Sequence, residues 1–498
     1  MELFDNLILG FTVALSLENL LYCAIGVSVG TLIGVLPGIG PVATIAMLLP
    51  LTFTVGPVSA MIMLAGIYYG AQYGGSTTAI LVNLPGETSA VVTSLDGYQM
   101  ARQGRAGPAL SIAAIGSFVA GTFGTLLIAV AGPPLAAIAL KFAAPEYFAL
   151  MLMGLVAAAV LAEGDLVKSL AMVAMGLLLG LVGTDVGSGV RRFTFDFNEL
   201  SDGVSFIVLA VGIFAIGEIV ANLGDPEERQ IFSHRVRNLM PTKQDLKASA
   251  KPIIRGTLIG SFFGVLPGTG PSIASFSSYI VEKKLAKDPS RFGNGAIEGV
   301  AGPESANNAD AQCKFIPMLT LGLPASPVMA LMLGALTIQG IQPGPQVMST
   351  RPDLFWGLIA SMWIGNALLV LLNLPMIGVW VKLLRVPYRL LFPAIMAFSA
   401  IGVYSVSNSS FDIYLTAIFG VVGFIWMKLG CSPAPMLLGF ILGPLMEEHL
   451  RRALLMSRGD PSVFFTRPIS LFFILITIGI LLAMVAPALR ARRAKIIG

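Results

Sequence analysis

Long stretches without a charged side chain constrain this chain more than any other feature. Residues 19–86 contain no Asp, Glu, Lys, Arg or His. The same holds for the runs 106–140, 256–281, 315–350, 354–381 and 469–489. Only 12% of the chain is charged, whereas soluble domains carry about 25% charged residues. Since a spanning helix needs about 20 apolar residues, the sequence predicts an all-α polytopic membrane protein with roughly 10 to 14 membrane segments, several of them too short to span alone.

Composition argues against several other classes of protein. The net charge of +4 is small, so we expect no nucleic-acid partner. The three cysteines lie far apart and there are only two histidines, so no disulfide framework and no metal site is firmly indicated, and no cofactor is expected. The sequence contains neither a Walker motif nor HExxH, which argues against an enzyme and against ATP as the energy source.

Basic residues predict the orientation and the domain boundaries. Residues 222–255 hold seven Lys and Arg against four acids, and 490–498 hold four basic residues and no acid. Cytoplasmic segments are enriched in Lys and Arg. We therefore expect a first transmembrane repeat over 1–221, a basic cytoplasmic connecting loop over 222–255, a second transmembrane repeat over 256–489 and a basic cytoplasmic tail over 490–498.

One eight-residue motif occurs twice. Gly-Val-Leu-Pro-Gly-Ile-Gly-Pro at 34–41 returns with one change at 264–271, an offset of 230 residues. Asn-Leu-Pro at 83–85 is echoed by Gly-Leu-Pro at 322–324, an offset of 239. Basic residues flank the second copy, whereas only acids precede the first, which favours two homologous halves inserted in opposite senses. The basic flanks of 256–281 also predict a re-entrant hairpin with the motif at its tip.

The repeated motif predicts a helix that is broken in mid-membrane. Proline cannot continue a helix, Gly38 and Gly40 permit a sharp reversal, and the final proline suits the first turn of a new helix. Free N–H groups at such a helix start favour an anion, while the carbonyls before the break suit a small cation such as sodium. Hydroxyls such as Thr44 and Ser272 follow the breaks. The alternative is a pair of simple kinks whose hydroxyls bond to their own helices.

A polar stretch at 68–87 follows the first break. Gln72, Ser76, Thr77 and Asn83 lie there in a chain otherwise built of apolar residues. Polar groups inside a membrane cost free energy unless they are satisfied, so they usually face protein, water or substrate. Hydrogen bonding between helices is the alternative to a substrate site.

The second half carries a more charged counterpart at 302–314. Its polar side chains are Glu304, Asn307, Asn308, Asp310 and Lys314. This stretch is either a solvated loop with an Asn or Asp helix cap, or a site in which Glu304 and Asp310 handle a coupling cation and Lys314 a carboxylate. Other acids, Glu218 among them, end apolar segments and are predicted at the membrane interface.

Together these motifs resemble the large membrane subunit of tripartite tricarboxylate transporters, the TctA family. The resemblance rests on the paired Gly-Val-Leu-Pro-Gly-x-Gly-Pro motifs and on the stretches at 69–87 and 302–309, and it covers about residues 15–450. Membership implies a multi-pass permease of the bacterial inner membrane with two partners, a small TctB-like membrane subunit and a periplasmic TctC-like substrate-binding protein. It also implies secondary import of di- and tricarboxylates, commonly driven by sodium, with the proton as the alternative ion.

The resemblance makes Gly38, Gly40, Gly268 and Gly270 the backbone of a central site. The side chains that we select beside them for the substrate are Thr44, Ser76, Thr77, Asn83, Ser272, Asn307, Asn308 and Lys314. Glu304 and Asp310 are selected for the coupling cation. The predicted function is a permease for binding-protein-dependent carboxylate symport. A passive anion pore is the alternative, and it would need a continuous polar path.

Overall fold

The chain is almost entirely helical. A computed structural model describes residues 2–497 apart from 37–39, 163–164, 186, 223–238, 267–268 and 384–387. Within that part of the chain, four helices are long and apolar enough to cross a membrane, Leu17–Val35, Ala106–Ala139, Pro352–Asn373 and Ser410–Lys428. Shorter apolar helices of 10–17 residues accompany them. The protein is thus an all-α membrane protein, as predicted, while the number of its spans stays a prediction.

The first half ends in a helix whose middle segment is π-helical. Its helices are α1 (Glu2–Ala14), α2 (Leu17–Val35), α3 (Pro41–Leu48), α4 (Pro57–Val82), α5 (Val91–Arg102), α6 (Ala106–Ala139), α7 (Ala144–Leu161), α8 (Leu166–Gly180), α9 (Phe206–Ala210) and α10 (Glu218–Asn222). A π-helical segment, Val211–Gly217, joins α9 directly to α10. Two short antiparallel strands, β1 (Gly183–Thr184) and β2 (Arg191–Arg192), follow α8.

In the described residues, the second half has more helices than the first. Its helices are α11 (Lys243–Val265), α12 (Pro271–Leu285), α13 (Glu298–Cys313), α14 (Phe315–Leu321), α15 (Pro327–Ile338), α16 (Val347–Thr350), α17 (Pro352–Asn373), α18 (Ile377–Leu383), α19 (Tyr388–Ser407), α20 (Ser410–Lys428), α21 (Ala434–Met456), α22 (Val463–Thr466) and α23 (Pro468–Ile497). Two predicted loops are partly helical. Residues 243–255 of the connecting segment belong to α11, because Thr242 and Asp245 cap its start reciprocally, and α23 continues through 490–497 of the predicted tail.

Both motifs break a helix where the sequence predicts it. The chain leaves α2 at Val35 and α11 at Val265, and it starts the next helices at Pro41 and Pro271. The tips of the two breaks, including Gly38 and Gly268, lie outside the described residues. In the second copy, Arg255 of α11 forms an ion pair with Glu282 of α12. The two helices of this hairpin therefore fold back on each other.

Glycines let α2 and α11 approach the helix that follows each hairpin. A Cβ added to Gly30 of α2 would collide with the carbonyl of Ile67 in α4, and one added to Gly260 of α11 with the carbonyl of Ala306 in α13. The two glycines are 230 residues apart and their partners 239. The same collision occurs one turn before and one turn after each glycine, at Gly26, Gly34, Gly256 and Gly264. The two contacts therefore repeat at the offsets found in the sequence motifs.

The centre of the molecule is formed by α4 and α13. Every residue from Ser59 to Leu81 of α4 is buried. Every residue from Gly299 to Cys313 of α13 is buried as well, although this helix carries charged and amide side chains. The solvated loop considered for 302–314 is therefore wrong, and its polar side chains must find partners inside the protein.

Candidate functional site

The two breaks open onto the same cavity. This central cavity has a volume of about 530 Å³. Gly40 and Pro41 of the first break line it, together with Gly270 and Pro271 of the second. The Ser272 hydroxyl lies 2.9 Å from that of Thr88 in the other half, and both residues line the cavity. Segments far apart in sequence therefore line one shared cavity.

Four helices with a proline in their first turn begin at the central cavity. They are α3, α12, α15 and α21, whose first residues belong to its lining. Among these four, Ser326 alone caps its helix with a side chain, by accepting from the N–H of Met329 in α15. First-turn N–H groups and the helix dipole both favour negative charge. The cavity therefore has the backbone geometry of an anion site.

Two carboxyl groups also line the cavity. Glu87 follows the end of α4, and one of its buried carboxyl oxygens has no hydrogen-bond partner in the described structure. Glu218 begins α10 after the π-helical segment, and its carboxyl lies against Gly40, since a Cβ added there would be 3.3 Å from Oε1. In their ionised forms, both groups would oppose an anion at the helix starts. The cavity can therefore hold an anion well only when cations or protons neutralise these carboxylates.

Comparison with known proteins assigns the family. The family described as the tripartite tricarboxylate transporter TctA family matches residues 20–438. The chain belongs to the TctA family. As such it is a membrane component of a transporter of this type, and TctA proteins act within tripartite assemblies.

The TctA assignment agrees with a relative that spans the whole chain. An uncharacterised 52.8 kDa protein in the TAR-I ttuC' 3' region of Agrobacterium vitis is 58% identical over 496 residues, which cover 100% of this chain and 99% of that protein. An uncharacterised protein in the TAR-II ttuC' 3' region of the same organism is 58% identical over 237 residues, covering 48% of this chain and 98% of that protein. No solved structure matches the chain.

Of the residues selected from the TctA motifs, few reach the central cavity. Gly40, Gly270 and Ser272 line it. Thr44 instead bonds back to the carbonyl of Gly40 at 3.0 Å, inside α3. Asn83 ends α4 in the left-handed conformation with φ of 58°, a role that asparagine tolerates better than most residues. The contacts of Thr44 and the backbone conformation of Asn83 therefore favour structural roles rather than substrate binding.

Five other selected residues form a separate polar cluster between α4 and α13. The Ser76 hydroxyl donates to the Glu304 carboxylate at 2.5 Å, and Asn307 lies at 3.5 Å from the same carboxylate. Asn308 donates to Ser117 of α6 at 2.7 Å. The fifth residue, Thr77, follows Ser76 in α4 and is 3% exposed. The structure thus brings these residues together, but away from the central cavity.

Lys314 and Asp310 neutralise each other. Lys314 Nζ lies 2.7 Å from Asp310 Oδ2, and both side chains are 0% exposed. Such a pair leaves no free charge for a carboxylate substrate. Neither residue lines the central cavity, so their position gives no support to the substrate role of Lys314 or the cation role of Asp310.

Sequence reasoning missed the two carboxylates of the cavity. Glu87 is the first charge after the run 19–86, and Glu218 is the first charge after 203–217. Glu218 lines the cavity, and its predicted place at the membrane interface stays a prediction. The signal was present in both cases, because each acid directly follows a long uncharged run, but the same pattern is typical of an interfacial residue.

Proposed function

We propose that this chain is the permease of a secondary transporter that imports di- and tricarboxylates across the bacterial inner membrane. The observation that carries the proposal is the convergence of four helix starts on one cavity. Each start offers N–H groups and a positive dipole end to a carboxylate group. A substrate with two or three carboxylates could contact several helix starts at once.

Sodium coupling is part of this proposal. A multiply charged anion beside Glu87 and Glu218 raises the electrostatic free energy unless positive charge enters with it. Binding of anion and cation is then mutually favourable, as symport requires. A substrate-binding protein and a small membrane subunit complete the proposed transporter, in keeping with the tripartite family.

Two homologous halves with opposite orientation are the proposed architecture. The contact of α2 with α4 and the contact of α11 with α13 support it, since both use glycines spaced four residues apart at matching offsets. The ends of α4 and α14 support it as well. Asn83 and Gly322 both adopt the left-handed conformation at these ends and both precede Leu-Pro.

The test is uptake of labelled di- and tricarboxylates into proteoliposomes that contain this chain and its small partner. Accumulation is expected only with the binding protein and an inward sodium gradient. The corresponding amides, which lack negative charge, are the control and should not accumulate. Equilibration without accumulation would favour the passive pore instead, and uptake that ignores both sodium and the binding protein would contradict the proposal.

A further inference from the structure

A second, much smaller cavity lies inside the helix bundle. Its volume is about 10 Å³, which is close to the space needed by one water molecule. Its polar lining consists of Tyr73, Ser76 and Thr77 of α4, Ser117 of α6 and Asn373 at the end of α17. It shares no lining residue with the central cavity. The small cavity is therefore a separate place at which a single atom or ion could bind.

Oxygen atoms with spare capacity line this small cavity. Asn373 is 4% exposed, and its Oδ1 has no hydrogen-bond partner in the described structure, while its Nδ2 donates to the carbonyl of Leu369 at 3.0 Å. The Thr77 hydroxyl makes no hydrogen bond to any described residue. Ser117 Oγ accepts from Asn308. An unpartnered buried oxygen costs free energy, so a hydrogen-bond donor or a cation beside it would stabilise the site.

A buried carboxyl group without a basic partner among the described residues adjoins the cavity. Glu304 is 0% exposed, and its carboxylate is held by Ser76, by Thr93 and more distantly by Asn307, all of them neutral. Among the described residues, Glu304 has no Lys or Arg as an ion-pair partner, and Lys314 of the same helix is paired with Asp310. A buried carboxylate without an opposing charge is strongly unfavourable. Ser76 connects it to the small cavity, because this residue belongs to the lining and its hydroxyl donates to Glu304.

We propose that the small cavity is a sodium site, with Ser76, Thr77, Ser117 and Asn373 as oxygen ligands and Glu304 as the balancing charge. The inference rests on the proposed function and places its coupling ion. Hard cations take oxygen ligands, and one carboxylate with neutral oxygens suits a monovalent ion. In the described part of the chain, no three Asp, Glu, His or Cys side chains gather to suit a divalent metal. A water molecule would fill the space without bringing a positive charge beside an ionised Glu304.

Sodium binding to the purified full-length chain in detergent, without any carboxylate, tests this site. Thr77→Val replaces one ligand hydroxyl by a methyl group of similar size, and Thr77→Ser keeps the hydroxyl. Thr125→Val is the matched control, because the Thr125 hydroxyl is equally buried but bonds to the carbonyl of Gly121 in its own helix. Binding of radioactive sodium is measured by equilibrium dialysis against choline chloride.

We expect the wild type to bind sodium saturably and Thr77→Val to bind it about tenfold or more weakly, as for lost metal contacts elsewhere. Thr77→Ser and Thr125→Val should bind as the wild type does. Asn373→Ala tests the same cavity from another helix if Thr77→Val does not fold. Unchanged binding by folded Thr77→Val or Asn373→Ala, or no sodium binding by the wild type, would overturn the site.

The two proposals fail in different ways. Carboxylate accumulation by a wild type that binds no sodium would remove the sodium site and leave the carboxylate permease standing. Sodium binding that depends on Thr77, in a chain that accumulates no carboxylate, would keep the site and remove the carboxylate assignment.

Discussion

The Glu218 carboxyl lies against Gly40 at the first break, and both residues line the central cavity. Gly40 precedes the first turn of α3, where the helix dipole favours negative charge. When ionised, Glu218 therefore offsets part of the attraction that the start of α3 would exert on a bound carboxylate. Glu218 and a bound carboxylate would compete for the same helix start. We therefore expect the charge of Glu218 to change the affinity of the cavity for a carboxylate.

Glu218→Gln should separate binding from coupling. The substitution removes one negative charge from the cavity, so affinity for a carboxylate should rise about tenfold, a typical size for one charge at several ångströms. Gradient-driven accumulation should fall, because one cation is no longer required for neutrality. Equilibrium binding and uptake by the same preparation measure the two effects.

Glu448→Gln is the matched control for this substitution. Glu448 is exposed and pairs with Arg452 one turn along α21, so neither binding nor accumulation should change. Weaker carboxylate binding by Glu218→Gln would show that Glu218 supports the anion rather than competes with it.

At the residue scale, backbone features could be predicted and charge placement could not. Pro41 and Pro271 begin helices as expected, because proline restricts its own backbone whatever surrounds it. The position of Glu218 depends on the π-helical segment before it, which changes the direction of the following side chains. Two partners of Glu304, Thr93 and Ser76, lie 211 and 228 residues away in sequence, so no local pattern indicates them.

At the scale of elements, α2 and α11 are held by backbone contact rather than by large side chains. Gly260 meets the carbonyl of Ala306, and that carbonyl belongs to a helix that is buried along its length. A helix of this kind cannot move aside as a flexible side chain can. Close packing of small residues is a common source of helix association in membranes.

Gly260→Val should destabilise the protein by about 3 kcal/mol, the upper end of the usual cost of overpacking. Gly30→Val should do the same at the contact of α2 with Ile67. Gly479→Val is the control, since a Cβ there meets nothing within 4 Å although the residue also lies inside a helix. Thermal unfolding of the purified variants in detergent measures the effect, and equal melting temperatures for Gly260→Val and Gly479→Val would contradict it.

Helix α13 shows why element type was harder to predict than element position. Its polar composition is typical of a solvated segment, and the sequence left a loop open as an alternative for 302–314. The fold instead satisfies these side chains internally, by the pair of Asp310 with Lys314 and by the bonds of Glu304 to α4 and α5. Burial of that kind depends on tertiary partners, which composition does not reveal.

At the scale of the whole molecule, the proposed opposite orientation of the two halves would account for the paired breaks. Halves related in this way bring equivalent helix starts to one central place, as in other transporters with broken helices. The shared cavity between Gly40 and Gly270 fits this arrangement. The charge difference between the flanks of the two motifs supports it independently, because basic residues favour the cytoplasmic side.

Cysteine labelling tests the opposite orientation directly. Leu17 and Lys247 are matched positions, 230 residues apart, and both are exposed, Leu17 in the first turn of α2 and Lys247 in the second turn of α11. In a background without the native cysteines, Leu17→Cys should react with an impermeant reagent from the outside and Lys247→Cys only from the cytoplasm. Lys284→Cys is the control, because the contact of Arg255 with Glu282 holds the two helices of its hairpin together, so it should label from the same face as Lys247→Cys. Labelling of Leu17→Cys and Lys247→Cys from one face would mean that the two halves run in the same sense. Inverted symmetry would then not explain why the two breaks share one cavity.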